Sequence, residues 1–173
     1  MVRFRPYGRT ASGGAAVSDA DDVLHATLLR CRRLSVGIDE LRPILSAHLP
    51  TQISVLDALP LIERIASIAL LKRVEQLQDM IARLVRLVAV WELLDTAMMT
   101  RRDMANWMEK TRFVEDADQW VDLTLLRNRL VHEYPIDEAE QVRRVNQCWD
   151  AVTQLQSIVT AIVTYLSTKG FSA

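Results

Sequence analysis

An all-α bundle of four to five helices, running up and down, is the fold the sequence predicts, and three observations predict it. Apolar residues recur at steps of three and four through most of the 173 residues. Leu, Ala, Val, Arg, Glu and Asp dominate, the composition of helices rather than of sheets. Gly and Pro number only five each, so few points interrupt the periodic stretches. The length suits one compact domain and is short for two.

Residues 1–18 carry Arg3, Arg5 and Arg9 among Gly, Pro and Ser without periodicity, which predicts a flexible basic tail before a single helical domain over residues 19–170. The tail reads as a loose end or as an electrostatic arm for RNA. Ser18 or Asp19 is expected to cap the first helix, with Asp21 and Asp22 in its first turn. Its stripe is Leu24, Leu28, Cys31, Leu34, Ile38, Leu41 and Leu45; Pro43 weakens its end and His48-Leu49-Pro50 breaks it. Thr51 restarts a helical pattern, and Asp57 with Pro60 suggests the cap of the next helix.

That next helix, from Leu61 to about Asp95, has the longest unbroken pattern and is expected to be central. Ile62, Ile65, Ile68, Ala69, Leu77, Met80, Ile81, Leu84, Leu87, Val88, Trp91 and Leu94 are its apolar positions; Glu63, Arg64, Arg73, Glu75, Asp79 and Arg83 read as its solvated side. Glu75 and Asp79, like charges one turn apart, call for a basic neighbour. Thr100-Arg101-Arg102-Asp103 has the form of a capping box with Asp as its acid, opening a short helix. After a turn at Phe113, Glu115, Asp116 and Asp118 start a helix with Trp120, Leu123, Leu126 and Leu130 on one face, stopped by Pro135. Asp137 with Glu140 caps a last helix that exits at Gly170.

A formal net charge of -1 gives no global attraction to nucleic acid, so an RNA partner needs a local basic cluster. Cys31 and Cys148 fit neither a disulfide framework nor metal spacing and read as small buried hydrophobes. With no apolar signal-like start and no run long enough to span a bilayer, a cytoplasmic protein without a membrane partner is expected.

One stretch stands out, Arg127-Asn128-Arg129-Leu130-Val131-His132-Glu133-Tyr134-Pro135. An imidazole titrating near neutrality can take a proton from an RNA 2′-hydroxyl or return one to a leaving oxygen. A guanidinium can hold the scissile phosphate and stabilise its developing charge. This chemistry needs no metal or other cofactor, and the sequence offers no metal cluster. Asn128 shares a helical face with His132 and can orient it; Arg129 adds local positive charge. One His serves poorly on both sides of a phosphorus, so the chemistry argues for a homodimer with the site in its cleft. Plainer readings stand beside this one. A last-turn His suits the helix dipole, and Arg127 near Asp122 and Glu133 can be a surface ion pair. The stretch would then decorate a helical oligomerisation module.

Arg127 followed directly by Asn128, then His132 and Tyr134, resembles the signature of the HEPN superfamily. More narrowly it is similar to the HepT toxins paired with minimal nucleotidyltransferase (MNT) antitoxins. The likeness spans about residues 20–168, strongly in the motif and generically elsewhere. It implies a toxin of a toxin–antitoxin pair, a metal-independent endoribonuclease with Arg127 and His132 catalytic and Asn128 in support. It also implies a homodimer, and AMPylation of Tyr134 by the partner nucleotidyltransferase as the silencing step. Arg129, Arg143 and Arg144 are candidate RNA contacts, and Arg101, Arg102, Arg112, Arg143 and Arg144 are expected to offset the acids Asp116, Asp118, Asp122 and Glu133. Arginines rather than acids are expected to face the cleft, and single-stranded RNA to be the substrate. Some HEPN domains serve instead as non-catalytic substrate-binding or adaptor subunits of nucleotidyltransferases, which is the alternative.

Overall fold

A computed structural model describes residues 14–132 and 137–171, with side chains from residue 19 onward. Six α-helices make up the described fold: α1 Gly14–Asp39, α2 Arg42–Leu45, α3 Leu61–Trp91, α4 Arg101–Lys110, α5 Ala117–His132 and α6 Glu138–Thr168. Short 3-10 turns at Leu56–Ala58 and Thr96–Met98 sit in the connections, and no strand occurs among the described residues. No described helix is long and apolar enough to cross a membrane.

Four long helices form the bundle, and α2 and α4 are short additions to it. Trp91, at the end of α3, donates its indole N–H to Asp21 near the start of α1, so α1 and α3 run antiparallel. Trp91 also meets Phe171, and Glu92 meets Lys169, so α3 and α6 run parallel. Phe113, just before α5, stacks edge-on against Tyr165 late in α6, while Arg144 early in α6 bonds the Arg129 carbonyl. Helix α5 is therefore antiparallel to α6 and to α3, and its C-terminal end lies towards the N-terminal half of α3.

The caps explain most boundaries. Thr100 and Asp103 form a reciprocal capping box at α4, as their spacing predicts. Asp137 accepts from the Glu140 N–H at 2.6 Å and opens α6. Gly170, at φ 82°, ends it. Pro43 falls in the first turn of α2, where its missing N–H costs nothing, and so divides α1 from α2.

Several expectations need correction. Helix α1 begins at Gly14, inside the segment read as tail, because Ala15 and Ala16 favour helix; Ser18 and Asp19 lie within it and do not cap it. Arg3, Arg5 and Arg9 lie outside the described residues. The pattern restarting at Thr51 is not helical. The Thr51 N–H and carbonyl are both taken by the Asn146 side chain, each at 2.8 Å, which pins an extended segment to α6. Asp57 pairs with Arg64 instead of capping α3.

The start of α3 is turned around. Ile62, Ile65 and Ile68, expected in the core, are 52–65% exposed. Ala66, Ser67, Leu70 and Val74 face inward in their place. Small Ala66 and Ser67 admit close approach of α1 and α2, and the Ser67 hydroxyl is satisfied by the Glu63 carbonyl at 2.8 Å. From Leu77 onward the core face is as expected, with Leu77, Ile81, Leu84 and Val88 fully buried.

Helices α3 and α4 both end on a non-glycine residue at φ 61°, Leu93 and Arg112. Leu94 N–H reaches back to Ala89 and Phe113 N–H to Met108, the closure made by a left-handed C-cap. A side chain in that conformation costs roughly 1–2 kcal/mol.

Two sets of variants test these assignments by chemical denaturation. Ile81→Ala should cost roughly 2–5 kcal/mol, while Ile65→Ser should stay within about 0.5 kcal/mol. The reverse ranking would put Ile65 in the core. Leu93→Gly should stabilise the fold by about 0.5–1 kcal/mol through relief at the left-handed position.

Candidate functional site

Helix α5 begins where Glu109 accepts the Ala117 N–H at 2.8 Å and Asp116 accepts the Asp118 N–H at 2.8 Å. Ala117, Trp120, Leu123 and Leu126 bury its inner face. That phase turns Arg127 towards α3 and leaves His132 exposed in the last turn. Five residues on a helix make an offset of about 140°, so the two side chains leave α5 in different directions.

Arg127 does not pair with Asp122. Its partner is Asp79, on α3: Nε donates to Asp79 Oδ1 at 2.7 Å and Nη2 to Oδ2 at 3.0 Å. Nη1 donates to the Asn128 amide oxygen at 3.3 Å. A guanidinium has five N–H groups, so one on each terminal nitrogen stays uncommitted among the described residues. The carboxylate of Asp79 raises the Arg127 pKa further above its ordinary value, and the side chain is a permanent cation. The basic neighbour expected for the Glu75–Asp79 pair is present twice, since Lys72 holds Glu75 at 2.8 Å.

Asn128 therefore turns to Arg127, not to His132. His132 makes no side-chain hydrogen bond or ion pair among the described residues, and nothing joins it to Arg127. Tyr134 and Glu133 lie outside the described residues.

The three candidate RNA contacts fare differently. Arg129 is half-buried and offers its carbonyl to Arg144. Arg143 is exposed but holds Glu140 at 2.8 Å. Arg144 is only 5% exposed, its Nε on Glu140 and its Nη1 on the Arg129 carbonyl, so it ties α6 to the end of α5 and is not an open surface contact. The Glu140 carboxyl is held below its ordinary value of 4.5, first by Arg144 and then by Arg143. Burial pushes both thiols, Cys31 and Cys148, up to about 12, which makes them inert core groups.

Beside Arg127 opens a cleft of about 600 Å³ between α3, α4 and α5. Its charged lining is Asp79, Arg83 and Arg86 from α3, Arg101 from α4 and Arg127 from α5. Asp116, Asp118 and Asp122 are not part of it. Of the five arginines expected to offset acids, only Arg101 reaches this cleft; Arg102 is occupied by Asp118. Asp79, Arg83 and Arg86 had the signal to be found: they stand at i, i+4 and i+7, one face of α3 beside the apolar stripe. Among the described residues no group of three or more His, Cys, Asp or Glu is placed to hold a metal ion.

Compared with protein-family models, curated proteins and solved structures, the chain matches none.

Two outcomes follow from this geometry. Asp79→Asn should cost about 1 kcal/mol, the worth of a partly exposed bidentate pair, in denaturant titrations. Glu140→Gln should also cost about 1 kcal/mol near pH 7, a difference that shrinks below 4.5. The sign follows from the lowered pKa: the stabilisation is full above the unfolded value and is lost as pH falls through the folded one. Equal differences near pH 7 and near pH 3 would contradict it.

Proposed function

We propose that this protein is a HepT-like HEPN ribonuclease, the toxin of a toxin–antitoxin pair, acting as a homodimer on single-stranded RNA. The observation that carries the reading is the sequence Arg127-Asn128-x-x-x-His132-x-Tyr134, on a late helix of an all-α bundle and followed by one long helix. Its support in the geometry is Arg127 itself, a fixed cation with two free N–H groups.

In the reaction, the 2′-hydroxyl attacks the adjacent phosphorus, its proton passes to one imidazole, and the 5′ oxygen leaves with a proton from the other. The products are a 2′,3′-cyclic phosphate end and a 5′-hydroxyl end. Arg127 holds the phosphate oxygens as charge builds on them. Asp79 positions that guanidinium, and Asn128 holds its far nitrogen. His132 of each protomer supplies one of the two proton transfers. Exposed Leu61, Ile62, Ile65 and Ile68 lie at the end of the bundle where α5 terminates and offer apolar surface to a second copy. The cognate nucleotidyltransferase silences the toxin by placing AMP on Tyr134, whose added phosphate competes for the arginine.

One observation favours the non-catalytic adaptor as a second reading. The cleft beside Arg127 has a mainly apolar floor and does not include His132, which suits binding without chemistry.

RNA cleavage in EDTA separates the two. The nuclease reading expects cleavage that survives chelator and falls roughly 10²–10⁴-fold in His132→Ala. Absence of cleavage by protein whose intact mass shows Tyr134 unmodified would leave the adaptor.

A further inference from the structure

We infer that the cleft between α3, α4 and α5 is a docking surface for an acidic amphipathic segment of a partner protein. The inference stands on the cleft and holds whether or not the protein cuts RNA.

Charge argues first. Arg83, Arg86 and Arg101 are exposed, and none makes a side-chain hydrogen bond or ion pair among the described residues. Elsewhere Arg42, Arg64, Arg102 and Arg143 each carry a carboxylate of their own. Exposed Arg30, Arg33, Arg73 and Arg112 have none among the described residues, so what sets Arg83, Arg86 and Arg101 apart is their grouping around one apolar floor. Asp79, the cleft's acid, is already spent on Arg127. The free cations stand on two helices around an apolar floor instead of converging on one point. That distribution suits several spaced carboxylates better than a single anionic head group.

The floor selects the kind of occupant. Met80, Leu87, Met104, Val121 and Leu125 line it, and Leu125 is 50% exposed. Thioethers and aliphatic chains adapt to apolar side chains of a helix laid over them. Nucleobases bind by stacking on open aromatic faces, but the cleft's aromatic residue, Trp120, is 7% exposed and presents none. Gln78, 3% exposed at the cleft wall, donates to Thr124 at 3.2 Å while its amide oxygen accepts nothing among the described residues. It is left for a donor on the occupant.

A second copy of this chain fits poorly. Two-fold pairing sets a patch against itself, so Arg83, Arg86 and Arg101 would face arginines across the axis. A partner with Leu on one face and Glu beside it meets both the floor and the rim.

The test is a labelled synthetic peptide with Leu at i, i+3, i+4 and i+7 and Glu at the intervening positions, followed by fluorescence anisotropy. A scrambled peptide of the same composition is the control. The docking surface expects the patterned peptide to bind at least about tenfold tighter than the scramble, with a loss of at least about tenfold in Leu125→Glu and in the Arg83→Glu/Arg86→Glu double variant. Leu125→Ala, at a half-exposed position that folding does not depend on, should weaken binding in the same direction. His132→Ala should bind the peptide as the parent does while losing RNA cleavage. Equal binding of patterned and scrambled peptides, or full binding by Leu125→Glu, overturns the inference. So does light scattering that shows Leu125→Glu dissolving a dimer, which would make the cleft a self-interface. Binding of a single-stranded RNA oligonucleotide that is lost in Leu125→Glu, with no peptide binding, assigns the cleft to RNA and overturns it too. Peptide binding without any RNA cleavage, by protein whose intact mass shows Tyr134 unmodified, sinks the nuclease reading alone.

Discussion

The bundle depends on α3 being packed by three other long helices at once. Helix α1 covers one side of it, α6 another and α5 a third. A helix so enclosed has little room for unsatisfied polar groups, since burying one without a partner costs more than its hydrogen bond returns. Two polar residues of α3 that face α5 find partners on it. Gln78 meets Thr124, and Asp79 meets Arg127. Arg73 lies over Gly37, where a Cβ would come within 3.1 Å of its guanidinium carbon. The contact with Asp79 thus fixes Arg127 where α5 packs on α3.

The Asp79–Arg127 pair matters more for geometry than for stability. Its side chains are 39% and 26% exposed, so water screens the attraction. Two-point contact nonetheless fixes the plane of the guanidinium and removes its rotamer freedom in advance of any binding partner. The same carboxylate cancels much of the arginine's long-range field. The unneutralised positive charge of the cleft then lies on Arg83, Arg86 and Arg101, which no carboxylate pairs among the described residues. Orientation and attraction are supplied by different residues, which is how a chain of net charge -1 can present a basic cleft.

Helix content, the α4 and α6 caps, the buried cysteines and the later half of α3 were legible because they rest on local spacing and on side chains of fixed reach. Thr100 with Asp103 and Asp137 with Glu140 need nothing beyond three residues. The start of α3 was not legible. Ile62, Ile65 and Ile68 make a better apolar stripe than Ala66, Ser67 and Leu70, and hydrophobicity alone chooses the wrong side. What decides is tertiary packing, in which the fold buries Ala66, Ser67 and Leu70 and leaves the isoleucines outside. The end of α3 was hidden for a related reason, since Leu93 stands where glycine would have marked the stop, whereas the turn at Phe113 that follows α4 was legible. The Arg127–Asp79 pair joins residues 48 apart and follows from helix packing that no local pattern encodes.

The five-residue spacing of Arg127 and His132 bears on assembly. A spacing of four would stack both side chains on one face of α5 and let a single chain hold them over one phosphate. Five separates them by about 140°, and Asp79 prevents the arginine from swinging to close the gap. The proposed nuclease therefore needs two copies paired at this helix end, so that each arginine meets the other protomer's histidine. Under the nuclease reading, the second copy then does more than supply a second base: it completes a site that the phase of the helix divides within one chain. The aliphatic residues Leu61, Ile62, Ile65 and Ile68, exposed at the start of α3, are apolar surface that a pairing at this end of the bundle could use.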